Sequence, residues 1–213
     1  MKLKYPRTFH FPWSLGVCSD DKVIENDDCF QGEEVVVTEK MDGENTTVAR
    51  DYTHSRSLDS SNHWSRTRVK ALQASIGYMI PEGMRICGEN LFAHHSIEYY
   101  SLPDYFLAFS VWNSDLCLDW DSTLNVLAEL GLQSVPVLYR GPYTPELIKP
   151  LYTGISKCGG EQEGYVVRCT RSFKHSEFKQ NVAKFVRANH VTASDHWMHQ
   201  AAKTNHLANG SLV

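Results

Sequence analysis

The stretch EVVVTEKMDGENTTVAR, residues 34–50, constrains the fold more than any other part of the chain. Glu34 to Glu39 is β-branched and bounded by Gly32 and Gly43, and Thr46 to Arg50 resumes a strand pattern after a glycine turn. Lys40 therefore stands at the end of a strand, an odd place for a merely solvated lysine. Residues two apart share a strand face, so Lys40 and Asp42 point the same way if the strand continues that far.

The rest of the chain repeats this theme of short strands with a few helices. Strands are expected at Met84 to Gly88, Tyr105 to Trp112, Val135 to Tyr139, Gly164 to Cys169 and Val182 to Arg187. Val69, Leu72, Ile76 and Met79 lie on one face of a helix over Trp64 to Met79. Ser122 to Leu130 reads as a helix capped by Asp121 or Ser122, with Gly131 past its end. Thr144-Pro145-Glu146 starts a helix that Pro150 ends or kinks. The polar run Arg50 to Asn62 reads as an exposed loop. The predicted class is α+β, with mainly antiparallel sheets flanked by helices. The whole chain, 1–213, is expected to form a single domain, its tail fraying from about residue 203.

Composition removes several function classes. Of 213 residues, 42% are hydrophobic and 22% charged, values of a globular chain and not of a disordered one. Apolar runs such as Phe106 to Trp112 fall far short of the ~18 residues that a membrane helix needs. The start, MKLKYPRTFHFPW, lacks the apolar stretch of a secretory signal. Six cysteines without a CxxC pair then read as reduced thiols, and the expected location is the cytoplasm. Neither His94-His95 nor His196 with His199 has zinc-ligand spacing, so no zinc is expected. The net charge of −4 excludes nucleic-acid binding by bulk charge and leaves only a local patch.

Five short segments carry residues suited to chemistry: EKMDG at 39–43, GEN at 88–90, Phe109 with Val111 and Trp112, EGYVVR at 163–168 and AKFVR at 183–187. Each has a plain structural reading too. Lys40 serves as an edge-strand lysine before a turn, Glu89 as a turn cap, Phe109 as core, Glu163 as a solvated strand start and Lys184 as an exposed strand residue. Their order favours nucleotidyl transfer. A strand-end lysine acts as nucleophile once neutral, carboxylates hold a divalent cation against phosphate charge, an aromatic stacks on a base, and a late lysine meets the α-phosphate.

These segments resemble the motifs of the covalent nucleotidyltransferase superfamily of polynucleotide ligases and mRNA capping enzymes. EKMDGENT resembles motif I, Ser55-Arg56-Ser57 motif Ia, CGENL motif III, FLAFSVW motif IIIa, EGYVVR motif IV and AKFVR motif V. The resemblance runs from Glu33 to Arg187 and is strongest to ATP-dependent RNA ligases of the RNA ligase 2 type. It implies ATP as AMP donor, Mg2+ or Mn2+ as cofactor, and RNA ends, in a nicked duplex or single strand, as substrate in RNA repair. Lys40 would carry the AMP, with Asp42 and Lys184 as further catalytic groups and Lys184 on the AMP phosphate. Glu39 would help seat the adenosine, Asn45 would contact phosphate or the RNA end, and Arg56 the ribose or the end to be sealed. Glu89 would hold the ribose or a metal-bound water, Phe109 would stack on adenine, and Glu163 would bind the metal complex.

Two features depart from the family pattern. Position 186 is Val where a second basic residue is usual, and Arg187 would face away from Lys184 on a straight strand. Only 26 residues follow Arg187, too few for the OB-fold domain of DNA ligases and capping enzymes, so no OB-fold is expected. Lys2, Lys4 and Arg7, or an RNA-gripping or end-healing protein partner, then become candidates for holding the RNA. Two other readings stay open: an enzyme that only adenylylates nucleic-acid ends or proteins, and a catalytically idle nucleotide-binding module. For Lys40 to attack, its pKa is expected to be lowered by Lys184, a cation and partial burial.

Overall fold

The computed structural model describes residues 2–58, 63–188 and 203–208. In chain order the strands and α-helices are β1 (Phe9–His10), β2 (Glu34–Lys40), β3 (Glu44–Ala49), β4 (Thr53–Ser55), α1 (Thr67–Ile76), β5 (Met84–Asn90), β6 (Phe106–Asn113), β7 (Leu116–Cys117), α2 (Trp120–Glu129), β8 (Gln133–Ser134), β9 (Val137–Pro142), α3 (Pro145–Ile148), β10 (Gly164–Cys169), β11 (Phe173–Lys174), α4 (Phe178–Asn181) and β12 (Val182–Val186). Among the described residues they form two sheets. The first runs β1-β12-β10-β2-β9; the second runs β11-β7-β6-β5-β3-β4, with β8 beside β6. Only the β1–β12 and β6–β8 pairs are parallel, as the α+β reading requires.

The turn of motif I joins the two sheets. β2 is a central strand of the first sheet, and β3 lies between β4 and β5 in the second. The chain crosses between them within Met41–Gly43. Asp42 holds the crossing in place. Its Oδ2 accepts from the Ser96 N–H at 2.8 Å, the Ser96 hydroxyl at 2.7 Å and the Ile97 N–H at 2.8 Å. Its own N–H donates to the Tyr99 hydroxyl at 2.8 Å. Gly43 is required by space: a Cβ there would lie 2.7 Å from the Asn90 carbonyl oxygen and 2.8 Å from Leu91 Cδ2.

Each sheet has its own core on the side away from the partner sheet. Val35, Val37, Tyr165, Val167 and Ala183 pack with Phe11, Phe30 and Ile148 on the first. Val48, Ile86, Ala108 and Val111 pack with Val69 and Ile76 of α1 and Leu127 of α2 on the second. Between the sheets, one cluster holds Met41, Tyr99, Leu102 and Leu107, and another holds Cys87, Trp112, Phe178 and Val182. A cavity of about 560 Å³ is lined from both sheets.

Several local expectations are corrected. Helix α2 starts at Trp120 because Asp119, and not Asp121 or Ser122, accepts the Ser122 N–H at 2.8 Å. β9 begins two residues later than expected, since Val135 and Pro136 give their backbone to Ala108 and Glu39 instead. The presumed loop 50–62 contains β4, which pairs with β3 and carries Ser55 and Arg56 to the cavity. Residues 203–208 of the tail are placed against the rest of the chain. Asn205 is buried, its amide accepting from Tyr99 N–H at 2.9 Å and donating to the Leu91 carbonyl at 2.8 Å, and Leu207 packs on Leu102. His196 and His199 lie outside the described residues. None of the six cysteines is paired, and no helix among the described residues is long and apolar enough to cross a membrane.

β10 runs so close to β12 that a Cβ on Gly164 would overlap the Phe185 carbonyl oxygen. Gly164→Ala should therefore cost about 1–3 kcal/mol, read as a lower urea midpoint with an unchanged slope.

Candidate functional site

The cavity face of the first sheet follows from strand register. Val36, Thr38 and Lys40 alternate along β2, Val166 and Arg168 along β10, and Val182 and Lys184 along β12; all line the cavity. Thr38, Val166 and Lys184 form one cross-strand row. On the second sheet Asn45 of β3 is directly opposite Glu89 of β5, and both line the cavity. The Asn45 side-chain oxygen is buried without a hydrogen-bond partner.

Phe109 lines the cavity at a defect in the pairing. Cys87 pairs with Ser110 and Gly88 with Ala108, so Phe109 is the extra residue of a β-bulge on β6. The bulge keeps Leu107 and Ser110 on one face although they are an odd number of residues apart. Tyr5 packs edge-on against the Phe109 ring, with centroids 5.1 Å apart.

At the end of β2, Lys40 Nζ donates to Glu163 Oε2 at 2.7 Å. Glu163 is almost fully buried, immediately ahead of β10, where Gly164 pairs with Lys40. Burial alone would push the Lys40 amine down, but Glu163 and then Glu89 outweigh it, and the amine is held above its ordinary range. The expected depression of Lys40 is therefore corrected: two carboxylates face it, and they favour the ammonium. Burial, with neighbouring Glu163, Asp42 and Glu44 against the opposing pull of Lys40, pushes the Glu89 carboxyl up to about 8. Lys184 behaves in the opposite sense. Burial and the nearby Lys40 charge bring it down to about 8, although Asp21 and Glu163 hold it up.

Glu39, beside Lys40 on β2, also lines the cavity; its side chain is buried, with Oε2 accepting the Lys157 N–H at 2.9 Å. Asp42, expected among the catalytic groups, is absent from the cavity lining and anchors the turn instead. Arg56 lines the cavity as an exposed residue. Arg187 follows β12 and pairs with Glu161 at 2.7 Å, while its N–H donates to the Glu163 carbonyl at 3.0 Å.

Sequence reasoning missed Arg66, Arg168, His95, Tyr5 and Asp21, all of which line the cavity. Arg66 Nε donates to Glu44 Oε2 at 2.8 Å, so the glutamate of DGEN is held by a residue preceding α1. The N-terminal segment carries no motif, and only its aromatic and proline content signals that it packs. β1 lies beside β12 with His10 opposite Lys184.

Glu89 and Glu163 both act on Lys40 and offer the hard oxygen donors that a divalent cation takes. Among the described residues no three His, Cys, Asp or Glu side chains are gathered into a protein-only cage. Magnesium, however, is commonly held by one or two carboxylates with water and substrate phosphates completing the shell. Burial is the main cause of the upward push on Glu89, with Glu163, Asp42 and Glu44 adding to it, and a cation would favour the ionised form.

A family model for RNA ligase matches residues 33–186. The chain belongs to the RNA ligase family. A search of curated proteins finds no match. Among solved structures, an RNA ligase of Naegleria gruberi with PPi is similar at 18% identity and TM-score 0.57, covering 86% of this chain and 57% of that one. A lysine-to-alanine variant of the Naegleria ligase with ATP and Mn is similar at 16% identity and TM-score 0.54, covering 86% and 58%. An archaeal ATP-dependent RNA ligase is similar at 18% identity and TM-score 0.54, covering 86% and 48%. The chain spans roughly half the length of these structures.

His10 lies behind Lys184, buried, and burial brings its imidazole down to about 4. An unfolded histidine takes a proton near pH ~6.5, so between that pH and 4 the unfolded state binds more protons. Stability is present above the unfolded value and lost as pH falls through this window, by about 3 kcal/mol at most. His10→Gln should flatten that part of the pH–stability curve, measured by urea unfolding at pH 7, 5.5 and 4.5.

Proposed function

We propose that this RNA ligase family member is an ATP-dependent RNA ligase domain that joins 5′-phosphate and 3′-OH ends through a lysyl-AMP on Lys40. The observation that carries the reading is the meeting of Lys40, Glu89, Phe109 and Lys184 in one cavity, with Glu163 bonded to the Lys40 amine from a fifth segment. An idle binding module has no use for a strand-end lysine held 2.7 Å from a buried carboxylate.

The first step requires a neutral amine at Lys40, and Glu163 Oε2 is within hydrogen-bond distance to accept its proton. Glu89 and Glu163 would hold a divalent cation, which would supply positive charge against the phosphates and offset the carboxylate charge that keeps Lys40 protonated. Lys40 Nζ attacks the α-phosphorus of ATP, a P–N bond forms, and the bond to pyrophosphate breaks. Lys184 as ammonium faces the charge that develops on the α-phosphate oxygens. Phe109 offers its face to the adenine, and the Asn45 side-chain oxygen accepts from a ribose or RNA hydroxyl. A 5′-phosphate oxygen of the RNA next attacks the lysyl-AMP phosphorus and frees the lysine. A 3′-OH then attacks the adenylylated 5′-phosphate, the phosphodiester forms and AMP leaves. Arg56, exposed at the rim, is suited to the RNA end.

Incubation with α-labelled ATP and magnesium or manganese should label the protein; EDTA should abolish the label, and labelled GTP should serve less well. Lys40→Ala and Lys40→Arg should both lose labelling, because the guanidinium stays protonated. Lys40→Ala should still seal a pre-adenylylated RNA end, since AMP is then already on the RNA. Normal labelling of Lys40→Ala would overturn the assignment. Labelling without sealing of any RNA end would favour an enzyme that only adenylylates.

Stacking on a base contributes ~1–3 kcal/mol. Phe109→Ala should therefore raise the ATP concentration for half-maximal labelling about tenfold or more, whereas Phe109→Trp should stay near the parent.

A further inference from the structure

The segment from Tyr5 to Ile24 lies outside the family-matched region, yet it forms one wall of the cavity. It is stitched to β12 along its length. Phe11 N–H donates to the Lys184 carbonyl at 2.8 Å, and Leu15 and Gly16 N–H to the Val186 carbonyl at 3.0 and 2.9 Å. The Ser14 hydroxyl accepts the Val186 N–H at 2.9 Å. The chain then doubles back, with His10 N–H on the Lys22 carbonyl at 2.8 Å and Ile24 N–H on the His10 carbonyl at 2.9 Å. Asp21 is thereby fixed beside the cavity and is mostly buried.

Both Asp21 oxygens are engaged. Oδ1 is 3.9 Å from Lys184 Nζ and 3.5 Å from the Arg7 guanidinium; Oδ2 accepts the Cys18 N–H at 3.1 Å and lies 3.3 Å from His10 Nε2. We infer that Asp21 is a positioning residue, the carboxylate by which the N-terminal segment holds the Lys184 ammonium charged and aimed at the phosphate site. The inference rests on the reading of Lys184 as the α-phosphate contact.

The balance of charge around Lys184 explains why such a carboxylate is needed. Facing it are Lys40 of β2, Arg56 beyond β4, Glu163 ahead of β10, and His10 with Asp21 of the N-terminal segment. Lys40 and Arg56 disfavour its charge, burial adds to them, and Glu163 is already paired with Lys40. His10, buried and pushed down to about 4, contributes no charge at neutral pH. Asp21 is the carboxylate in this set that has no direct contact with Lys40.

The test uses Asp21→Asn, close to the parent in shape, with Asp20→Asn as a charge control, since Asp20 is exposed and pairs with Arg7 alone. Two readouts are taken. Competitive acetylation of Lys184 against pH, followed by mass spectrometry without ATP, reads the amine directly. Labelling from ATP against pH reads its use. A carboxylate at this range shifts a lysine by about one unit or more, so Asp21→Asn should make Lys184 roughly fivefold more reactive at pH 7. It should also move the alkaline limb of labelling to lower pH by a similar interval. Asp20→Asn should match the parent in both.

An unchanged Lys184 titration in a folded Asp21→Asn overturns the inference. So does a rise in labelling at every pH, which would make Asp21 a competitor for the phosphate site. If Asp21→Asn does not fold, Arg7→Gln should raise the Lys184 midpoint by leaving Asp21 less compensated, and no shift there is equally fatal. A parent chain that never labels would sink the ligase reading, while the acetylation arm would still decide the Asp21–Lys184 coupling.

Discussion

The crossing of the backbone from one sheet to the other at Met41–Gly43 is the constraint on which the site depends. It sets the end of β2 against the start of β3, so the last residue of one sheet and the first residues of the other open on the same cavity. Asp42 supports the crossing by spending one carboxylate oxygen on three donors from Ser96 and Ile97. A buried carboxylate so satisfied is stable, whereas an unsatisfied one is costly. The same crossing requires the small residue at 43, because the strand end at Asn90 leaves no room for a Cβ.

Around that crossing the charges are in tension. Glu163 and Glu89 keep Lys40 protonated, and burial, with the neighbouring carboxylates, pushes Glu89 up to about 8. Lys184 is brought down to about 8 by burial and by Lys40. Groups pushed out of their ordinary ranges in this way inside one cavity are characteristic of sites built for chemistry and not for stability. A fold selected only for stability would replace such a cluster with apolar side chains. The N-terminal segment adds Asp21, His10 and Arg7 to this balance from outside the family-matched residues.

Strand positions, the α+β class and the six motif segments were legible in the amino-acid sequence, because β-branched runs, glycine turns and alternation are local properties. Alternation along β2, β10 and β12 already places Lys40, Val166 and Lys184 on faces that register can align, and it also removes Arg187 from the cavity. Those features follow from the chain's own periodicity.

Tertiary structure decided the rest. Glu39 is adjacent to Lys40 in sequence, but its carboxylate is held by the Lys157 N–H, far along the chain. Ser110 shares a face with Leu107 only because a bulge against Cys87 and Gly88 shifts the period of β6 at Phe109, and a bulge is a property of two strands and not of one. Asp42 becomes an anchor because a loop more than fifty residues later brings its N–H groups to it. Asn205 is held by Leu91 and Tyr99, far away in sequence, and so residues 203–208 pack where their composition suggests fraying. The amino-acid sequence by itself determined which residue types stand at strand ends. Long-range pairing decided which of them face one another, since charge and burial depend on neighbours that the linear order does not contain.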